Sequence, residues 1–245
     1  MKQKINIAQA NISNLTRLWK KVSTPFDGYF QSDQFQYCYL ENSDWPNRLW
    51  FRNEITPDCI EKARQVPYLT SKKLVIPCWD TFENGSELLE AAGFQEKSVQ
   101  IGMSLELHAR ADRPLRLQMK RVLNKAEAKV WAEVYPEAFG YQIGEAIPAR
   151  LDEEVEFYLA CFQSKAIGTA MIFKTDNITG IHGVGVHPEA RRKGFAEEIM
   201  EFLLKRAVDS GVSYVTLQAS PMGKPLYVKL GFKEDFIIKN YISNQ

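Results

Sequence analysis

The stretch Gly183-Val184-Gly185-Val186-His187-Pro188-Glu189-Ala190-Arg191-Arg192-Lys193-Gly194-Phe195-Ala196-Glu197-Glu198-Ile199-Met200 decides how this chain is read. Its first part is strand-like and ends at Pro188. Its last part opens an amphipathic helix: Ala196, Ile199, Met200, Leu203, Leu204 and Ala207 recur at helical spacing, and Gly211 follows as a terminator. Between them lies a short loop carrying Arg191, Arg192, Lys193 and Gly194. Backbone N–H groups at a helix N-terminus lack intrahelical partners and lie at the positive end of the dipole, so they attract anions. Gly194 lets the backbone approach a ligand closely, Ala196 is small for the same purpose, and the basic side chains add charge-assisted bonds. The segment predicts a pyrophosphate cradle. A helix start with a solvated basic cluster would show the same residues, so the context carries the weight: a strand before, a long amphipathic helix after, and a second motif downstream.

Working outward, residues 115–134 read as helical with a restart near Asn124. Strands are expected at 154–162, 166–174 and 179–188, with a tight turn at Ser164-Lys165 between the first two. After the long helix come a strand (212–220), a short helix (221–231) and a last strand (232–242). Three strands in meander followed by β-α-β-α-β imply an α/β (α+β) domain: a mixed sheet flanked by helices on both faces. Upstream, Ile12, Leu15, Leu18, Trp19 and Val22 form a helical stripe, with Ser13 or Asn11 as cap. Thr56 and Pro57 start a second helix, and Ser86 to Gly93 bound a third. Residues 47–53, 72–79 and 99–107 are strand candidates. The polar segment His108-Ala-Arg-Ala-Asp-Arg-Pro114 reads as a linker, which divides the chain into 1–107 and 115–245.

The 245 residues carry 31 basic and 30 acidic side chains, a net charge of +1. The balance argues against a nucleic-acid or anionic-membrane partner, both of which call for a basic excess. No apolar run approaches the ~18 residues of a membrane span, and the N-terminus lacks the apolar core of a secretory signal, so a cytoplasmic protein is expected. Cys38, Cys59, Cys78 and Cys161 form no C-x-x-C pair and do not cluster with His108, His182 or His187. Reduced, buried thiols and no metal site are expected.

The downstream motif is Leu226-Tyr227-Val228-Lys229-Leu230-Gly231-Phe232. Together with Val186-His-Pro-Glu-Ala-Arg-Arg-Lys-Gly-Phe-Ala196 it resembles the GNAT superfamily of acyl-CoA N-acyltransferases over residues 115–245. The resemblance implies a splayed sheet with acetyl-CoA as co-substrate. The pantetheine arm would pair with the backbone of Val184-Gly185-Val186. The pyrophosphate would rest on Arg191, Arg192, Lys193, Gly194, Phe195 and Ala196. Tyr227 would protonate the departing thiolate. The sequence also departs from the family pattern. A motif glycine is Arg192 here, the glutamate often used as base matches Gly183, and an asparagine seven residues before the tyrosine matches Ser220. His182 is the one ionisable side chain on the strand before the turn and is the candidate base. Simple alternation puts it on one face with Val184 and Val186, where a packed histidine is an equal reading.

The two halves also resemble each other. Trp19-x-x-Val22 with Gly28-Tyr29 matches Trp131-x-x-Val134 with Gly140-Tyr141, and Leu88–Leu105 matches Leu226–Ser243. No counterpart of the basic turn occurs in the first half, which reads as a degenerate copy that does not bind CoA. The function expected is an N-acetyltransferase acting on a small-molecule or peptide amine as monomer or homodimer. A non-catalytic acyl-CoA-binding module and a tandem-fold aminoacyl transferase are the alternatives.

Overall fold

The computed structural model describes residues 5–69, 73–109, 113–150 and 152–244. In chain order the elements are α1 (Ile7–Ser23), β1 (Tyr29–Gln31), β2 (Phe35–Cys38), β3 (Arg48–Phe51), α2 (Pro57–Arg64), β4 (Ile76–Trp79), α3 (Gly85–Ala91), β5 (Phe94–Glu106), β6 (Gln118–Arg121), α4 (Lys125–Phe139), β7 (Val155–Phe162), β8 (Lys165–Thr175), β9 (Ile178–Val186), α5 (Phe195–Asp209), β10 (Tyr214–Ala219), α6 (Lys224–Lys229) and β11 (Lys233–Ser243). One mixed sheet has the strand order β4-β11-β5-β10-β9-β8-β7-β6, and β1-β2-β3 form a small sheet of their own. β6 to β9 are antiparallel neighbours, while β9 and β10 run parallel.

Leaving out β6, both halves follow one order: helix, three strands, helix, strand, helix, strand. The parallel step recurs as well, as a bridge between Arg48 and Val75 in the first half and as the β9–β10 ladder in the second. β11 pairs with β4, and β5 lies beside β10.

Packing divides the chain into two compact units that interleave along it. One comprises residues 1–18, 104–217 and 230–233, the other 19–103, 218–229 and 234–245. Of the expected linker 108–114, residues 110–112 lie outside the described residues. In the second unit, Leu49, Ile60, Leu74, Ile76, Leu89 and Tyr241 are packed into one apolar cluster, and Trp50 and Trp79 both lie against Trp19. In the first, helices cover both faces of the sheet. Gly168 and Gly185 stand on opposite faces, since their partners Val186 and Thr169 lie in successive pairs. A Cβ on Gly185 would come within 2.5 Å of Phe139 on α4, and one on Gly168 within 3.2 Å of Ile199 on α5.

Four local expectations are corrected. Residues 118–121 are an edge strand, not helix: Leu117, Met119 and Arg121 turn inward and Gln118 and Lys120 outward, a period of two, and pairing with β7 overrides helix propensity. Asn124 does start α4, accepting from the Glu127 N–H at 2.9 Å. Neither Ser13 nor Asn11 caps α1, because both lie inside it. The Asn6 side chain accepts from the Gln9 N–H instead. Ser86 lies inside α3, whose first turn follows Asn84 at φ +53°. Finally, Phe195 rather than Ala196 heads the buried face of α5.

Candidate active site

The β9–β10 ladder spans Ile178–Tyr214, Thr179–Val215 and Gly180–Thr216 and stops there, although β9 runs on to Val186. Among the described residues, β9 from Ile181 to Val186 therefore has no β10 partner. Backbone groups along this edge are available to an extended ligand. Opposite, on β8, Thr169 faces Gly185 and Met171 faces His182, so Gly183 and Val184 together stand against Ala170. This is a β-bulge, made where Gly183 takes φ +57°. The Thr169 hydroxyl pins it by donating to the Gly183 carbonyl at 3.0 Å. Glycine is required twice here, since a Cβ at 183 would come within 2.7 Å of Met171 just as one at 185 would meet Phe139.

The bulge corrects the placement of His182. It adds one residue to the alternation, so His182 shares a face with Gly180 and Gly185 and not with Val186. His182 is buried, its Nε2 lies 3.1 Å from Asn14 Oδ1, and it has further partners. His187 is structural: its Nδ1 accepts from the Glu189 N–H at 3.3 Å and caps the short turn at Pro188–Ala190.

The turn after Pro188 is built from the backbone. The Arg191 N–H donates to the Pro188 carbonyl, and its guanidinium donates to Val186 O at 3.2 Å and Ala138 O at 3.1 Å. Arg191 thereby ties the end of β9 to the end of α4. Arg192 has φ +60° and Gly194 φ +83°. Among the described residues, the N–H groups of Arg192, Lys193, Gly194, Phe195 and Ala196 make no hydrogen bond within the protein. The Gly194 carbonyl already serves Glu197 and Glu198 as the helix begins. Successive N–H groups around left-handed residues form a concave anion site, here at the positive end of α5. Arg192 and Lys193 are exposed, and among the described residues no hydrogen bond or ion pair holds their side chains. Two cations and a row of N–H groups suit a diphosphate well.

Arg116, which sequence reasoning missed, supports the turn from beneath. It donates to the Lys193 carbonyl at 2.6 Å and to Glu198 Oε1 at 2.6 Å, and it lies 4.7 Å over the Phe195 ring. Glu198 also accepts from the N–H of Arg116 and of Leu117. Nothing local announces Arg116, because its partners lie about eighty residues away and only the edge strand brings it there.

Arg192 stands where the family pattern has glycine, in a conformation that costs an L-residue about 1–2 kcal/mol. Arg192→Gly is therefore expected to raise the melting temperature by about 1–4 °C, after allowance for glycine's larger unfolded-state entropy. A scanning-fluorimetry comparison checks this, and a fall in melting temperature would contradict it.

Tyr227 lies on α6, in the other compact unit. The residue is half-buried, and desolvation pushes its pKa up to about 12. Ser220, at the position of the family's asparagine, starts this helical turn by accepting from the Gly223 N–H at 3.1 Å.

The N-terminus of α2, in the first half, is closed by its own residues. At the start of α2 the Thr56 N–H meets Cys59 Sγ at 3.0 Å and the Cys59 N–H meets Thr56 Oγ1 at 3.3 Å. Pro57 has no N–H, and Asp58 sets a carboxylate at the first turn, its pKa lowered by hydrogen bonds from Lys62 and Gln34.

Among the described residues no cluster of His, Cys, Asp and Glu is arranged to hold a metal, and no helix is long and apolar enough to cross a membrane. Desolvation raises the pKa of the Cys38 thiol to about 12 and also raises those of Cys78 and Cys161.

The chain is similar in fold to a GCN5-related N-acetyltransferase from Kribbella flavida, with a TM-score of 0.68 and 14% identity over 92% of this chain and 95% of that one. It is similar to a GCN5-related N-acetyltransferase from Sphaerobacter thermophilus, with a TM-score of 0.63 and 14% identity over 91% and 84%. It is also similar to a GCN5-related N-acetyltransferase-like protein from Streptococcus suis, with a TM-score of 0.58 and 15% identity over 86% and 84%. A search of curated proteins gave no match. The model of the acetyltransferase (GNAT) family matches residues 118–232, the span that holds β6, the bulged β9, the anion turn and α6. Over these residues, a little under half of the chain, it is similar to the acetyltransferase (GNAT) family.

Proposed function

We propose that this protein is an N-acetyltransferase that moves an acetyl group from acetyl-CoA to a primary amine by direct attack. The observation that carries the reading is the row of unpartnered N–H groups from Arg192 to Ala196 at the start of α5, next to a strand edge that β10 has left. Acetyl-CoA supplies an activated acyl group. The turn would hold its pyrophosphate, with Arg192 and Lys193 adding charge. Val184, Gly185 and Val186 would present backbone groups to the pantetheine arm, and an N–H at Val184 would polarise the thioester carbonyl.

Proton transfer is assigned to His182 and Tyr227. His182, engaged at Nε2 by Asn14 Oδ1, is the side chain we assign to accept the amine proton. A phenol with a pKa of about 12 keeps its proton at any ordinary working pH, as a donor to the thiolate must. The first half is proposed as a degenerate copy that binds no CoA, in line with the closed start of α2. Calorimetric titration with CoA is expected to give one site per chain, and two sites would contradict this assignment.

A free-thiol assay with acetyl-CoA across an amine panel tests the activity. The reading is supported if at least one amine releases thiol in proportion to protein. Gly183 in place of a glutamate base favours a second reading, a non-catalytic acyl-CoA-binding module. Acetyl-CoA binding without thiol release on any amine would establish that one.

A further inference from the structure

α1 carries two buried asparagines, one turn apart, to the point where β9 and β10 part. The last paired residues are Gly180 and Thr216. One residue further along β10, the Leu217 carbonyl accepts from Asn11 Nδ2 at 3.4 Å. Two residues further along β9, His182 Nε2 lies 3.1 Å from Asn14 Oδ1. Asn14 Nδ2 donates to the Phe173 carbonyl at 3.0 Å and to Thr175 Oγ1 at 2.8 Å, both on β8. Neither asparagine is exposed.

The sequence of the sheet is adapted to this insertion. A Cβ on Gly180 would lie 1.9 Å from Asn14 Oδ1 and 2.4 Å from His182 Nε2, so only glycine admits the amide. The Phe173 carbonyl can only accept, which sets the amide's NH₂ towards β8 and its oxygen towards the imidazole. His182 must then donate, and its neutral form carries the proton on Nε2.

A sheet that divides leaves backbone and side-chain polar groups without ladder partners, and buried groups of this kind need replacements. α1 provides them on both diverging strands and on β8. We propose that Asn11 and Asn14 are positioning residues that hold β9 and β10 apart where the pantetheine arm enters, and that this is the contribution of the first half of the chain to cofactor binding. The proposal rests on the acyl-CoA reading above.

The test is CoA binding by calorimetry on the full chain, with wild type beside Asn14→Leu and Asn11→Leu. Asn47→Ala serves as a stability control, since Asn47 is buried in the other unit and its side-chain amide bonds the loop around Leu40 and Ser43. Asn14→Leu is expected to weaken CoA binding by about tenfold or more. In the thiol assay its KM for acetyl-CoA should rise more than its kcat falls. Asn47→Ala should lower the melting temperature and leave CoA affinity at the wild-type value. If Asn14→Leu does not fold, Asn14→Asp, which keeps size and loses the donors, is read in the same way. Asn14 variants that fold and bind CoA as wild type would overturn the proposal. Nitrogen-15 imidazole spectra give a readout independent of CoA: the Nε2–H form is expected for His182, and an Nδ1–H form would overturn the assignment. If wild type itself binds no CoA, the acyl-CoA reading falls and takes this proposal with it. Wild-type binding with unchanged binding by the variants removes the strut alone.

Discussion

Tyr227→Phe is expected to lower kcat by about 10²-fold or more while leaving CoA affinity and the fold intact, because general acid catalysis of this kind contributes about 10²–10⁴ in rate. Phenylalanine keeps the ring that packs against the Ser220–Gly223 turn and removes only the proton donor. The pH dependence follows from the direction of the shift. Burial raises the phenol pKa from 10.0 to about 12, so the protonated form prevails at all lower pH. Wild-type kcat should show no fall from Tyr227 ionisation below pH ~10. The same shift favours the folded state below the unfolded value, and that contribution fades as the pH rises through the folded one. Equal kcat for the two proteins on every accepted amine would remove Tyr227 from the chemistry.

Gly194→Val is expected to weaken CoA binding by about 100-fold, because each charge-assisted bond to a phosphate oxygen contributes about 1.5–3 kcal/mol and several would be misdirected together. Gly194 has φ +83°, a conformation that a β-branched residue adopts only under strain. A Cβ at this position would also lie 3.3 Å from the Arg116 guanidinium, which holds the Lys193 carbonyl, so the valine side chain would press on that support. The substitution costs stability too, so a matched control is needed. Gly211→Val has a similar backbone conformation (φ +73°) at the far end of α5 and open space around it. It should lose comparable stability and bind CoA normally. Equal losses of CoA affinity in the two variants would show that strain, and not the anion site, explains the effect.

Much of this architecture was legible in the sequence because it is written in local patterns. The apolar spacing of α5, the runs that form β7, β8 and β9, and the Thr56-Pro57 start of α2 are short-range signals. The turn at Arg191–Ala196 was legible as a helix N-terminus following a strand. What escaped depends on partners far along the chain. β6 looks helical until β7 pairs with it. The bulge at Gly183–Val184 reverses the face of His182, and no alternation rule signals it. Asn11 looks like a cap because asparagine favours helix starts, and nothing local marks Asn14, whereas both amides serve strands more than 150 residues away. Arg116 is a surface arginine until the edge strand brings it under the turn. The sequence matches between the halves fall at the first helix and at the last helix–strand pair of the element order.

The most direct measurement is thiol release from acetyl-CoA by the full chain across a panel of primary amines, with Tyr227→Phe run in parallel. Amine-dependent thiol release by wild type, reduced by about 10²-fold in the variant, is the predicted result. Tight CoA binding with no thiol release on any amine would contradict the account and leave a protein that binds acyl-CoA without catalysing its transfer.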